Sequence, residues 1–248
     1  MSDFNRESTL HAQLKAFYTG IDGQQEVAIG SYICDGRTRS GELIEIQIGS
    51  FGPLKEKLQY LAQEHRIKIV HPIIRNRIIE TYSADKLILR KRYSPKKGTI
   101  WDIYKSLIYA PELVLLKNIT IELVALDITE RRIEDGRGSW RRKGISLQDK
   151  VLLALHDTRS LSYPIDYQSF IPFSLKDPFT IRDFYNSCID IQTSHKAVLL
   201  KCFSDPLHEP FSYAIAQKAI YVLYRIGILE RTGKKGKFYL YRKTLEHL

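Results

Sequence analysis

Two short strand-like runs joined by a polar turn constrain the fold of this chain more than any other segment. The runs are Glu26–Asp35 and Glu42–Ile48, and the connection between them is rich in Gly, Ser, Thr and Arg. A connector without apolar residues between two such runs is typical of a β-hairpin. With the turn centred near Ser40, Asp35 lies across from Glu45, and cross-strand Cβ atoms are about 5 Å apart.

Strand alternation in the second run separates its apolar and polar side chains. Ile44, Ile46 and Ile48 fall on one face, and Glu45 and Gln47 project together from the other. Two carboxylates in a half-buried sheet are costly unless a cation accompanies them. Oxygen-only ligands suit Mg²⁺, which can activate water and stabilise charge on a phosphodiester oxygen.

The elements around the hairpin predict a mixed α/β fold with a central sheet. A helix is expected from Asn5 to Phe17, because Leu10, Leu14 and Phe17 fall at the spacing of one apolar face. Asn5 or Asp3 can cap it, and Glu7 lies beside its apolar face. A second helix is expected after Pro53 and ends near His65. A buried strand then follows over residues 67–70, and we expect Pro72 to end it.

This pattern resembles the PD-(D/E)XK, or restriction-endonuclease-like, nucleases, in an uncharacterised bacterial branch. The resemblance is carried by Asp35, by Glu45-Ile46-Gln47 and by the order helix, strand, strand, helix, strand. It implies a Mg²⁺-dependent DNA endonuclease, with Mn²⁺ as a substitute metal. By resemblance, Asp35 and Glu45 are metal ligands, Glu7 is an accessory carboxylate ligand, and all three are catalytic residues together with Gln47.

Two departures from the family pattern leave a second interpretation open. Gln47 stands where the family has lysine, so it can position a water molecule but supplies no charge. Cys34 stands where a proline often precedes the aspartate. The alternative is a catalytically inactive, nuclease-fold protein that binds DNA or regulates another process. A plain edge hairpin, with Glu45 paired to Arg37 or Arg39, is the structural alternative.

Basic clusters predict contact with DNA. The net charge is +10, which serves solubility and polyanion binding equally well. The candidate DNA-binding residues in the first part of the chain are Arg92, Lys96, Lys97, Arg141, Arg142 and Lys143. Each cluster mixes cations with Gly, Ser or an aromatic residue, which suits phosphate contact. A single cluster is more typical of a solvated loop, and it is the three clusters together with the C-terminal segment described next that favour DNA.

The last 70 residues follow the order of a winged helix-turn-helix. A helix capped by Thr180 is followed by a helix from Tyr213 to Ile226 that ends at Gly227, and then by a glycine–lysine hairpin. The candidate DNA contacts here are Gln217, Lys218, Lys234, Lys235 and Lys237. Protein–protein contact is the alternative use of such a module, and residues 186–210 do not fit a minimal one.

We therefore predict three segments: a nuclease-like domain over residues 1–158, a proline-containing connector over 159–178 and a winged-helix-like domain over 179–248. No apolar stretch approaches the ~18 residues of a membrane span, and the N-terminus lacks the apolar core of a signal peptide. Three widely spaced cysteines form neither a disulfide framework nor a metal motif. We expect a cytoplasmic protein with no membrane partner, and the resemblance allows a homodimer.

Overall fold

The computed structural model describes residues 8–193 and 211–244 of the chain. Its helices are α1 Thr9–Thr19, α2 Lys55–Leu61, α3 Ile103–Leu107, α4 Ile181–Thr193 and α5 Tyr213–Arg225. Its strands are β1 Gln24–Ile29, β2 Tyr32–Arg37, β3 Leu43–Ile46, β4 Ile67–Tyr82, β5 Ile88–Tyr93, β6 Ile119–Glu134, β7 Ile145–Leu161, β8 Leu229–Lys235 and β9 Phe238–Lys243.

Seven strands form one mixed sheet in the order β1-β2-β3-β4-β6-β7, and β5 pairs with the far half of β4. The pairs β3–β4 and β4–β6 are parallel, whereas β1–β2, β2–β3, β4–β5 and β6–β7 are antiparallel. Helices flank this sheet, which confirms the predicted α/β class.

Helix α1 covers one face of the sheet. Leu10 and Leu14 are fully buried against strand residues that include Ile44, Ile46 and Ile128. The predicted caps Asn5 and Asp3 lie outside the described residues, and the Ser8 side chain accepts the first-turn N–H instead. The prediction that Phe17 joins the apolar face is wrong, because 62% of its surface is exposed.

The opposite face carries a larger core that reaches the C-terminal elements. The ring of Trp101 contacts those of Phe170, Phe184 and Phe211. The same cluster of buried side chains runs from Cys34 near the start of the sheet to Tyr241 on β9. The predicted division into three segments stays a prediction, but their described residues share one core.

The prediction that Pro72 ends its strand is wrong, because β4 continues to Tyr82. The N–H of Ile67 donates to Asn118, on the β6 side of the strand. By alternation, the nitrogen of Pro72 points to the other side, where pairing with β3 ends at Val70. The missing N–H therefore removes no ladder bond, which is the condition under which a sheet tolerates proline.

Strand β7 is an element that the sequence pattern does not predict. Its pairing with β6 contains three register shifts, for example between Val124 and Leu126. Bulges of this kind interrupt the period of two on which strand prediction depends. The expected connector that follows contributes Tyr167 and Phe170 to the core.

The C-terminal elements are two helices and a two-stranded hairpin, in the predicted order. Thr180 and Asp183 cap α4 reciprocally, since each backbone N–H donates to the other's side chain. Gly227 follows α5 with a φ of 81°, which favours glycine at the end of a helix. Among the described helices, none is long and apolar enough to cross a membrane.

Candidate functional site

Strands β2 and β3 bring Asp35 close enough to Glu45 for the charge of Asp35 to raise the pKa of Glu45. Gly36 pairs with Ile44 and Arg37 with Leu43. Beyond this pairing, the N–H of Ile46 donates to the side chain of Asp35. Gly36 faces α1, and a Cβ added there would lie 2.0 Å from Cγ2 of Thr19. The close approach of α1 therefore requires glycine next to the candidate aspartate. We call Asp35 and Glu45 the carboxylate pair.

The carboxylate of Asp35 is held by the end of β3 and by α1. Its Oδ2 accepts the N–H of Ile46 at 2.7 Å. The Nε2 of His11 lies 3.3 Å from the same oxygen and 3.2 Å from the carbonyl oxygen of Ile46. Burial alone raises the pKa of Asp35, but the hydrogen bonds from His11 and the Ile46 N–H outweigh it, so its pKa lies below the ordinary value.

Glu45 is more deeply buried and pairs with a lysine of α2. Its Oε2 lies 2.6 Å from Nζ of Lys57, which also donates to the carbonyl of Ile33 at 2.7 Å. Burial and then the negative charge of Asp35 raise the pKa of Glu45, and Lys57 only partly offsets them. Lys57 is held in place because its neighbours on α2, Leu58 and Leu61, are buried in the core.

The ion pair with Lys57 contradicts the plain edge hairpin considered for this segment. That alternative pairs Glu45 with Arg37 or Arg39, whereas Arg39 contacts Asp22 at 3.1 Å. Sequence reasoning assigns no role to Lys57. The one local indication that Lys57 could reach Glu45 is its position on a short helix directly after the strand that carries Glu45.

Gln47 does not project toward the carboxylate pair. Its side-chain Nε2 donates to the carbonyl of Ser50 at 2.5 Å, within the loop that leads to α2. Its own carbonyl accepts a hydrogen bond from Nδ1 of His71 at 2.6 Å. Burial lowers the pKa of His71, although this hydrogen bond opposes the shift. The ammonium group that contacts Glu45 is that of Lys57, and the charge of Lys15 contributes to the lowered pKa of Asp35.

The predicted third ligand, Glu7, lies outside the described residues. Over residues 8–193 and 211–244, no group of three or more His, Cys, Asp or Glu side chains is arranged to hold a metal ion. The oxygens at the end of β3 are the carboxylates of Asp35 and Glu45 and the carbonyl of Ile46. Oxygen donors of this kind fit Mg²⁺, which takes one or two carboxylates and completes its shell with water and phosphate.

Two of the predicted DNA-binding segments meet at one cavity. Lys96, Lys105 and Lys218 line a cavity of ≈ 530 Å³, together with residues on both sides that include Asp102 and Ser212. Gln217, next to Lys218 on α5, is exposed. The structure therefore brings together the basic loop after β5 and the helix predicted to read DNA. Lys97 follows Lys96 in that loop.

The other predicted clusters lie apart from this cavity. Arg141, Arg142 and Lys143 are in the connection between β6 and β7, at the far end of the sheet. Lys234, Lys235 and Lys237 are on the β8–β9 hairpin, where Lys234 lies over the ring of Tyr239 at 4.9 Å.

Arg92, a predicted DNA contact, aligns on the sheet with three other arginines. Arg77 and Arg132 both contact the buried carboxylate of Glu130, at 3.2 and 2.7 Å. Arg92 pairs with Ile79, which pairs with Glu130, and Arg90 pairs with Thr81, which pairs with Arg132. Paired positions share a face, so these four arginines, which we call the basic face, lie on one side of the sheet.

The basic face lies on the side of the sheet that α1 covers. Ile128 packs against Leu10 and Leu14 of α1 and pairs with Arg77. Helix α1 also brings His11 to Asp35. The basic face and the Asp35 end of the carboxylate pair are therefore on the same side of the sheet. The pairing of β4 with β6, which aligns Arg132 with Arg90, joins distant segments of the chain and does not follow from a local sequence pattern.

The sheet and the first three helices coincide with a known protein family. The family model described as "Domain of unknown function (DUF8091)" matches residues 8–162, from the cap of α1 to the end of β7. This chain belongs to the DUF8091 family. The carboxylate pair, Lys57 and the basic face all lie within the DUF8091 segment, whereas α4, α5 and the β8–β9 hairpin lie beyond it.

A relative shares a similar segment with this chain. An "Uncharacterized protein" of Treponema pallidum (strain Nichols) is 28% identical to this chain over 153 residues, which cover 62% of this chain and 61% of that protein. The chain thus spans about three fifths of the length of the curated relative that it matches. No solved structure matches the chain.

Proposed function

We propose that this chain is a Mg²⁺-dependent DNA endonuclease of the restriction-endonuclease-like kind. The observation that carries the proposal is the carboxylate pair at the end of β3, with the Lys57 ammonium 2.6 Å from Glu45. A carboxylate pair with a lysine is the residue set that the resembled family uses. Here the lysine comes from α2 rather than from the position of Gln47.

The chain's own groups divide the chemistry among them. Asp35, Glu45 and the carbonyl of Ile46 would hold the ion, and bound Mg²⁺ supplies Lewis-acid chemistry and a water of lowered pKa. Lys57 has three N–H donors and a positive charge, which would oppose the negative charge that develops on the phosphate. His11, within 3.3 Å of Asp35, would orient that carboxylate.

The fold and the charge distribution support the same proposal. The order α1, β2, β3, α2, β4 agrees with that of the resembled nucleases. The cavity lined by Lys96 and Lys218, together with the basic face, offers cations to a phosphate backbone. We propose that α4, α5 and the β8–β9 hairpin act as a winged helix, with Gln217 exposed toward base edges and Lys234, Lys235 and Lys237 beside the backbone.

A specific observation favours the second candidate, an inactive nuclease fold that binds DNA. Both carboxylates already have protein partners, since His11 contacts Asp35 and Lys57 contacts Glu45. The amide of Gln47 is bonded to Ser50. Such a site can be a relic in which protein cations replace the metal ion.

Nicking of supercoiled plasmid in Mg²⁺ tests the proposal. We expect the wild type to nick the plasmid and Asp35→Asn to be inactive. Asp127→Asn is the matched control, because Asp127 is also a partly buried carboxylate held by a histidine, His156, at 3.0 Å. Equal nicking by wild type and Asp35→Asn would refute catalysis at this site. Salt-sensitive DNA binding without any nicking would favour the inactive alternative.

A further inference from the structure

The connection between β6 and β7 presents an exposed tryptophan on an ordered loop. Trp140 exposes 83% of its surface. The loop is closed by backbone hydrogen bonds from Gly138 to Gly144 and from Lys143 to Trp140, both 3.0 Å long. Exposing so large an apolar side chain costs free energy in water, and these backbone hydrogen bonds shape the loop that carries it.

A second exposed apolar segment lies next to this loop, and we call the two together the tip. Tyr82, at the end of β4, pairs with Ile133, near the end of β6. The turn after Tyr82 therefore projects from the same end of the sheet as the Trp140 loop. In that turn and the start of β5, Leu87 and Ile88 are 68% and 59% exposed.

Cations surround the tip and continue inward along the sheet. Arg141 lies 5.7 Å from the ring centre of Trp140, and Arg142 and Lys143 follow it. The basic face continues away from the tip. Arg90 and Arg132, which are aligned across β4, lie nearer the tip, and Arg92 lies two residues further along β5. Such a track of cations matches a linear polyanion, whereas a lipid surface would need cations only around the tip.

We propose that the Trp140 loop stacks on unpaired bases, so that this chain prefers DNA with an unwound or interrupted duplex. The inference rests on the proposed function, because it takes DNA as the ligand. Aromatic side chains stack on unpaired bases without sequence preference, and each stacked base contributes about 1–3 kcal/mol. The basic face would hold the adjoining backbone.

Binding of matched DNAs tests this inference. The probes are a duplex and the same duplex with a central unpaired bubble, both in EDTA so that cleavage does not interfere. We expect wild type to bind the bubble roughly ten- to a hundredfold more tightly, and Trp140→Ala to lose that preference while keeping its affinity for the duplex. Phe173→Ala is the control, since Phe173 is 96% exposed outside the tip.

Tryptophan fluorescence gives an independent measurement, because the chain has two tryptophans and Trp101 is buried. We expect bubble DNA to quench the emission of Trp140. That emission is identified as the part of the spectrum that is lost in Trp140→Phe. Equal affinity of wild type for bubble and duplex would overturn the inference and leave the proposed function intact. Loss of all DNA binding would overturn both. A blue shift with anionic phosphatidylserine vesicles, without quenching by DNA, would identify a lipid contact and overturn the inference.

Discussion

Lys57 is the residue that most changes the interpretation of the candidate site. Its Nζ lies 2.6 Å from Glu45 Oε2 and 2.7 Å from the carbonyl of Ile33. If this ammonium stabilises the transition state, its removal should act on the rate of cleavage rather than on DNA binding. We predict that Lys57→Met lowers the single-turnover rate by about 10²–10³-fold, the effect typical of one lost electrostatic donor.

The matched control for this prediction is Lys55→Met. Lys55 lies on the same helix and pairs with Glu112 at 2.5 Å, away from the carboxylate pair. The Lys55→Met variant should cleave DNA at the wild-type rate. Equal rates for Lys57→Met and Lys55→Met would remove Lys57 from the mechanism.

The carboxylate pair should give opposite trends of stability with pH. Because the pKa of Glu45 is raised in the fold, the folded protein disfavours its ionised form, and wild type loses stability as the pH rises through that pKa. The Glu45→Gln variant does not lose stability in this way, because glutamine does not ionise. We predict that its melting temperature rises relative to wild type as the pH increases from the ordinary Glu pKa of about 4.3 through the raised pKa of Glu45.

Asp35→Asn is the internal comparison, because the pKa of Asp35 is lowered. Its ionised form stabilises the fold above the ordinary Asp pKa of about 3.9, and this contribution is lost as the pH falls through the lowered pKa. The melting temperature of Asp35→Asn should therefore be lower than that of wild type at neutral pH and converge with it in acid. The same trend for both variants would contradict the charge distribution described for the pair.

At the scale of the residue, the sequence predicts positions better than it predicts side-chain contacts. The hairpin pattern predicts the pairing of the strands that carry Asp35 and Glu45, but not that Asp35 contacts α1 while Glu45 contacts α2. The direction of the Gln47 amide depends on the loop that carries Ser50, and the reach of Lys57 depends on how α2 packs. Neither follows from a local pattern, because both are set by tertiary packing.

At the scale of the element, α1 links the core to the site. Leu14 is fully buried beneath it, and the side chain of Gln13 accepts the N–H of Leu152 on β7 at 2.9 Å. We predict that Leu14→Ala lowers the free energy of unfolding by about 2–5 kcal/mol, the cost of a cavity in a packed core. Denaturant titration measures this change.

Phe17→Ala is the control on the same helix. Because Phe17 is 62% exposed, its loss should change the free energy of unfolding by no more than about 0.5 kcal/mol. A destabilisation as large as that of Leu14→Ala would mean that Phe17, as the sequence pattern first suggests, packs into the core.

The strands that the sequence misjudges share a physical cause. Pro72 reads as a stop because proline lacks an N–H, but its position beyond the end of β3 makes that N–H unnecessary. The bulges between β6 and β7 break the alternation on which strand prediction depends. Local rules fail here because the requirements at each position depend on the neighbouring strand. The alignment of the basic face also depends on neighbouring strands, so a local pattern does not predict it.

At the scale of the whole molecule, the surplus of cations should appear in the salt dependence of DNA binding. Each phosphate contact that is lost lowers the slope of log K against log salt by about 0.9. Arg90 and Arg92 are exposed on the basic face. We predict that the double substitution Arg90→Ala and Arg92→Ala reduces the slope by about 2.

Lys91→Ala is the control for this prediction, because Lys91 lies between the two arginines in sequence but on the opposite face, where it contacts Glu80 at 3.0 Å. Its removal should leave the slope unchanged. An equal reduction for Lys91→Ala would indicate a diffuse effect of net charge rather than a contact made by the basic face.

The account depends most on whether the carboxylate pair cuts DNA or only lies near it. The most direct measurement follows binding and cleavage of one labelled duplex, with binding in EDTA and cleavage after Mg²⁺ is added, for wild type and Glu45→Gln. Glu122→Gln is the matched control, since Glu122 is a similarly buried glutamate paired with Lys68 at 3.2 Å. We predict equal affinities for all three proteins, cleavage by wild type and Glu122→Gln, and none by Glu45→Gln. Tight binding by wild type without cleavage, or equal cleavage by Glu45→Gln, would contradict the account.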